Sequence, residues 1–161
     1  KALPLFKNCL RLRKAELGEN HPSTLNSMNS LANFYDTQGD NYKALPLYED
    51  CLRQMKVVLG DNHPHTLITM SSLAGLYSYQ GEYEKALPLC EDCLRLSKDV
   101  LGEDHPNTLA SMNNLANLYK NQGEYGKALK LYEECLSLCK FTFGDNHPNT
   151  LALMSNVADL A

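Results

Sequence analysis

Residues 105–146 read HPNTLASMNNLANLYKNQGEYGKALKLYEECLSLCKFTFGDN, and similar 42-residue units occupy residues 21–62 and 63–104. The clearest marker of the unit is a His-Pro pair, which recurs at His21-Pro22, His63-Pro64, His105-Pro106 and His147-Pro148. Self-similarity at a fixed period of about 20–50 residues is typical of proteins built from stacked repeats. The period therefore predicts one structural building block for every 42 residues of the chain.

Each unit contains two segments whose apolar residues follow helical spacing. In residues 21–62 the first segment carries Leu25, Met28, Leu31, Ala32 and Tyr35, and the second carries Ala44, Tyr48, Cys51, Leu52 and Met55. Glycines follow the segments, and the proline of each His-Pro pair suits a first helical position. The pattern predicts eight helices and no strand: first helices near 22–38, 64–80, 106–122 and 148–161, and second helices near 1–17, 41–59, 83–101 and 125–143.

The residues of this helix pair resemble the tetratricopeptide (TPR) signature at Leu31-Ala32, Tyr35, Gly39, Ala44 and Tyr48. The 42-residue form with its His-Pro connector resembles the TPR repeats of kinesin light chains. The resemblance implies an all-α, right-handed α-solenoid of helix-turn-helix repeats spanning residues 1–161 as one domain. In that scheme residues 1–20 are the second helix of a partial repeat, 21–62, 63–104 and 105–146 are full repeats, and 147–161 are the first helix of a partial repeat.

Composition excludes several classes of protein. The chain is 43% hydrophobic, and it contains no apolar run near the roughly 20 residues that a membrane-spanning helix needs. Its formal net charge is -4, and its basic residues are mixed with acidic ones, so no phosphate-binding stripe forms. We therefore expect neither a nucleic acid nor a membrane among its partners.

The six cysteines raise the question of a metal or redox site. Cys9, Cys51, Cys93 and Cys135 lie one per repeat on separate helices, whereas a structural zinc site needs four converging ligands. We interpret them as reduced packing residues and expect no metal and no cofactor. Reduced cysteines, together with the family resemblance, favour a cytoplasmic location.

The four repeated histidines also stand a full repeat apart, so they cannot form one centre. We expect each histidine to cap its own connector. No Gly-rich phosphate loop, Ser/His/Asp set or paired carboxylates can be assembled from residues separated in this way. The sequence therefore predicts a protein without catalytic residues.

What remains as a candidate site is the surface of the first helices, which lines the concave side of TPR solenoids. Away from the apolar stripe these helices carry amides, hydroxyls and one lysine: Asn26, Asn29, Asn33, Ser71, Ser72, Tyr79, Asn113, Asn114, Asn117, Lys120, Asn121 and Asn156. An asparagine side chain both donates and accepts, so a row of them can bond the backbone of an extended segment. We predict a non-catalytic scaffold that binds an extended peptide of a partner protein in this groove. The competing interpretation is a merely solvated face.

Two other functions are compatible with the sequence. The chain begins within a second helix and ends within a first helix, so apolar residues such as Leu5 and Leu153 could join copies end to end into a superhelix or fibre. Alternatively, the repeats belong to a longer parent, as in the sensor arrays that the extended TPR unit resembles, which are attached to some signalling NTPases.

Overall fold

The computed structural model describes residues 2–161, and this part of the chain consists of eight α-helices and no strand. They are α1 (Ala2–Leu17), α2 (Pro22–Thr37), α3 (Asn41–Val58), α4 (Pro64–Tyr79), α5 (Tyr83–Leu101), α6 (Pro106–Asn121), α7 (Tyr125–Phe143) and α8 (Pro148–Leu160). The predicted helices are confirmed to within a residue or so at each end, and the fold is an all-helical solenoid of helix-turn-helix repeats. Lys1, which the prediction placed in the first helix, lies outside the described residues.

The helices group into two compact units, Lys1–Gln80 and Gly81–Ala161, called here the N-terminal and the C-terminal unit. In the N-terminal unit α1, α2, α3 and α4 pack in sequence, and α2 also contacts α4. In the C-terminal unit α5, α6, α7 and α8 pack in the same sequential way. Each unit thus brings two first helices beside the second helix that connects them.

Buried apolar side chains at equivalent positions hold each unit together. Tyr48 on α3 is 1% exposed and Tyr132 on α7 is 0% exposed. Small residues allow the helices to approach, since Ala44 and Ala128 are fully buried at the same position of their repeats. The periodic apolar stripe read from the sequence is therefore the core of both units.

The His-Pro pairs begin the first helices, as expected. His105 has an extended backbone (φ -66°, ψ 137°), and its Nδ1 accepts a hydrogen bond from the backbone N–H of Asn107 at 3.1 Å. His21, His63 and His147 make the same cap to Ser23, His65 and Asn149. A capping side chain satisfies one of the four N–H groups that a helix start leaves unpaired. The histidines thus have a structural role at each connector.

Candidate functional site

All of the polar residues singled out from the sequence lie on first helices, but they fall into two sets. The N-terminal face comprises residues of α2 and α4: Asn26, Asn29, Asn33, Ser71, Ser72 and Tyr79. The C-terminal face comprises residues of α6 and α8: Asn113, Asn114, Asn117, Lys120, Asn121 and Asn156. Each face belongs to one compact unit.

On the N-terminal face, two asparagine oxygens link α2 to α4. Asn26 Oδ1 accepts from Nδ1 of His65 at 2.5 Å, and Asn29 Oδ1 accepts from the hydroxyl of Thr69 at 3.2 Å. The side-chain oxygens are therefore used within the unit. The part of these amides that a ligand can bond is the NH₂ group, a donor.

The other residues of the N-terminal face differ in exposure. Asn33 is exposed beside Phe34, and Tyr79 is 82% exposed. Ser71 and Ser72 are half-buried, and Ser72 hydrogen bonds with the hydroxyl of the buried Tyr48. Asn33 and Tyr79 are thus the exposed members of this set.

On the C-terminal face, Asn117 and Lys120 have partners within the unit. Asn117 Oδ1 accepts a hydrogen bond from the hydroxyl of Tyr132, so this residue of the face is linked to the buried core of the unit. Nζ of Lys120 lies 3.9 Å from Oδ2 of Asp159 on α8. The one cation of this face is paired with an acid, and a ligand carboxylate would have to compete for it.

The remaining residues of the C-terminal face include one unpaired acceptor. Asn114 and Asn121 are exposed, and Asn156 is half-buried. Asn113 is also half-buried, and its Oδ1 is buried without a hydrogen-bond partner among residues 2–161. Buried carbonyl oxygens normally have a partner, so this unpaired atom is an exception.

Asn113 lies at a cavity of about 170 Å³ between α6, α7 and α8, which we call the α6–α8 cavity. Its walls combine small and apolar side chains with two thiols: Pro106, Leu109, Ala110, Asn113, Asn114, Cys135, Cys139, Asn149, Ala152 and Leu153. The sequence analysis identified Asn113 and Asn114 but missed Ala110, Asn149 and Ala152. The signal that could have found them is a position-by-position comparison of the repeats, in which these positions carry larger residues two repeats earlier.

The cysteines pack as small apolar residues. All six thiols are free, and all except the half-buried Cys9 are buried. Burial raises the pKa of Cys51, Cys90 and Cys135 to about 12, so these thiols are neutral near pH 7. The thiolate is the reactive form, so buried neutral thiols are poor nucleophiles. No group of three or more His, Cys, Asp or Glu side chains is placed to hold a metal ion within the described residues.

Across residues 2–161, no helix is both long and apolar enough to cross a lipid bilayer.

Comparison with known proteins agrees with this architecture. The family model for the tetratricopeptide repeat matches residues 1–56, 31–95, 69–140 and 112–161. Among curated protein sequences no significant relative was found. Among solved structures, a kinesin light chain-like protein of Podosopora anserina with nearly identical TPR-like repeats is 28% identical, with a TM-score of 0.85 over 99% of this chain and 75% of that one.

Two more distant structures share the fold alone. BtubC from P. vanneervenii is 23% identical, with a TM-score of 0.76 over 96% of this chain and 61% of that chain. The N-terminal domain of stress-induced protein-1 from C. elegans is 17% identical, with a TM-score of 0.61 over 84% of this chain and 93% of that one. The first two of these three structures therefore superpose over more of this chain than the third does.

Proposed function

The chain belongs to the tetratricopeptide repeat family, and we propose that it is a non-catalytic scaffold that binds an extended segment of a partner protein along its first-helix faces. Repeats of this family are generally protein-interaction scaffolds, and stacked repeats offer long surfaces for binding. The observation that carries the proposal is the set of half-buried asparagines whose oxygens are held within each unit, namely Asn26, Asn29 and Asn117.

Holding the oxygen of an amide fixes the direction of its NH₂ group. An extended segment presents a backbone carbonyl at every residue, spaced about 3.3 Å apart along the chain. Donors that are already fixed lose less conformational freedom when they bind such carbonyls, which favours affinity. Because amides contact the backbone rather than side chains, this face supports recognition of extended conformation more than of one particular charge.

The charge of the C-terminal face supports a neutral segment over a carboxylate terminus. Lys120 is the one cation among the residues assigned to the site, and it lies beside Asp159. A clamp for a terminal carboxylate would need several unpaired cations, because the charge-assisted bonds to both oxygens supply most of its affinity. An internal stretch of a partner protein therefore fits this face better.

The proposal is tested by selecting ligands from a displayed library of unstructured peptides and measuring their affinity for variants. We expect the double substitution Asn113→Ala with Asn117→Ala to weaken a selected peptide by about 5- to 150-fold, because each of the two lost hydrogen bonds is worth ~0.5–1.5 kcal/mol. The matched control is Asn20→Ala with Asn62→Ala, two exposed connector asparagines outside both faces. Unchanged affinity of the first variant, with helicity retained, would rule out this face as the site.

Self-association is a second candidate, supported by exposed apolar residues on α1 and α8. Leu5 is 71% exposed and Leu12 is 42% exposed on α1, and Leu151 is 49% exposed on α8. Leu153, which the sequence analysis offered as a contact, is only 4% exposed because it packs inside the C-terminal unit, so Leu151 replaces it in the hypothesis.

Light scattering over a wide concentration range tests self-association. Association predicts a mass that grows with concentration from 18.0 kDa and stays at that value in Leu5→Asp and Leu151→Asp variants. A constant mass in the unmodified protein would exclude this candidate.

A further inference from the structure

The α6–α8 cavity has a counterpart in the N-terminal unit that is lined by different side chains. Two repeats earlier, Met55 stands at the position of Cys139, His65 at that of Asn149 and Ile68 at that of Ala152. Met55 is 1% exposed, and its sulfur lies 3.3 Å from the hydroxyl oxygen of Thr69, which stands at the position of Leu153. The same place in the fold is therefore a surface depression of about 290 Å³ in the N-terminal unit, whereas in the C-terminal unit it reaches the second helix.

The lining of the two sites shows how deep each one reaches. In the N-terminal unit the surface depression is lined by side chains of α2 and α4 only: Asn26, Asn29, Ser30, His65 and Ile68. In the C-terminal unit the cavity extends to Cys135 and Cys139 on the second helix α7. The hydrogen bond between His65 and Asn26 crosses the mouth of the first site, whereas Ala110 stands in place of Asn26 in the second. Only the C-terminal site gives access to the interior.

The chemistry of the α6–α8 cavity fits an apolar group. Its walls are aliphatic at Leu109, Ala110, Ala152 and Leu153, and its floor consists of neutral thiols. Its volume of about 170 Å³ is close to that of an apolar cavity of about 150 Å³ that binds benzene. Asn113 also lines the cavity, but its unpaired Oδ1 is itself buried and is not open to a ligand. Ligand pockets are commonly lined by apolar walls of this kind.

We propose that the α6–α8 cavity binds one apolar side chain of the partner's segment, of the size of leucine, methionine or phenylalanine. The proposal rests on the proposed function, since it names the anchor residue of the same segment. Apolar walls exclude a phosphate or carboxylate, because no cation lines the cavity. The anchor would supply much of the affinity, as a buried apolar side chain in a pocket usually does.

The experiment uses blocked single amino acids as probes, so it does not depend on finding a partner. N-acetyl-phenylalanine N-methylamide and the leucine analogue are titrated into protein labelled at alanine methyl groups and followed by NMR. We expect saturable shifts of the Ala110 and Ala152 methyl signals, and only small shifts with N-acetyl-alanine N-methylamide.

A variant fills the cavity with residues that the fold already accommodates. Cys139→Met with Ala152→Ile and Leu153→Thr copies Met55, Ile68 and Thr69 of the N-terminal unit, where the shorter threonine lies against the methionine. We expect it to keep its helicity and to bind the phenylalanine probe at least 10-fold more weakly, with the Ala110 signal as the readout. Absence of saturable shifts in the unmodified protein, or equal binding to both proteins, would overturn the proposal.

The two proposals fail in different ways. If the probes bind the cavity but no library peptide binds the protein, the side-chain site stands and the extended-segment function fails. If library peptides bind equally to the unmodified and the filled protein and show no apolar preference at any position, the scaffold stands and the anchor site is overturned.

Discussion

Truncating the buried tyrosine of α7 should produce the largest loss of stability of any single substitution argued here. We expect Tyr132→Ala to lower the free energy of unfolding by ~3–5 kcal/mol, because the ring is 0% exposed and its removal leaves a cavity in the C-terminal unit. The same change removes the hydroxyl that Asn117 Oδ1 accepts from, so a second acceptor of the C-terminal face loses its partner.

The matched control lies on the same helix. Tyr125 is 57% exposed at the start of α7, and surface substitutions usually change stability by no more than about 0.5 kcal/mol. Urea unfolding followed by circular dichroism compares Tyr132→Ala with Tyr125→Ala. Equal losses in the two variants, or a loss below 1 kcal/mol for Tyr132→Ala, would mean that α7 does not pack as described.

Alkaline pH should destabilise the protein through its buried thiols. Burial raises the pKa of Cys51, Cys90 and Cys135 to about 12, above the ordinary value of 9.0 that they regain on unfolding. Between these values the native state binds more protons than the unfolded state, so stability is full below pH 9.0 and falls as the pH rises toward 12. Each such thiol should lower the free energy of unfolding by ~1 kcal/mol between about pH 9 and 10. The three together should lower it by ~3 kcal/mol.

A double alanine variant separates this effect from other alkaline titrations. Cys51 and Cys135 occupy equivalent positions in two repeats and are 0% exposed, so Cys51→Ala with Cys135→Ala removes two of the three thiols. We expect the fall in the free energy of unfolding between about pH 9 and 10 to be ~2 kcal/mol smaller in this variant. The measurement is urea unfolding at each pH with a reducing agent present. If the free energy of unfolding fell equally with pH in both proteins, these thiols would already ionise in the folded state.

The helices could be predicted from the sequence because their signals are local. A His-Pro pair supplies both the cap and the first residue of α6, and Gly123 (φ 80°) ends the turn that follows this helix. The repetition then aligns every helix with its copies, because equivalent residues of the four copies must occupy equivalent helix positions. The identity of the core followed from the same periodicity, as the burial of Tyr48 and Tyr132 shows.

The candidate site could be predicted only as a set of helix faces. Its details depend on contacts between residues far apart in sequence, such as Lys120 with Asp159 and Tyr132 with Asn117. The cavity was harder to predict, because it results from the small side chains of Ala110 and Ala152 and not from a residue with a recognisable pattern. Small residues become informative only when the helices that carry them are known to converge.

The most direct test of the scaffold account is to map a selected peptide onto the protein by NMR. Binding along the first helices predicts that the largest backbone and side-chain amide shifts fall on α6 and α8, centred on Asn113, Asn117 and Asn156. Shifts concentrated on the outer residues of α5 and α7, such as Arg95 and Phe141, with the three asparagines unchanged, would contradict it.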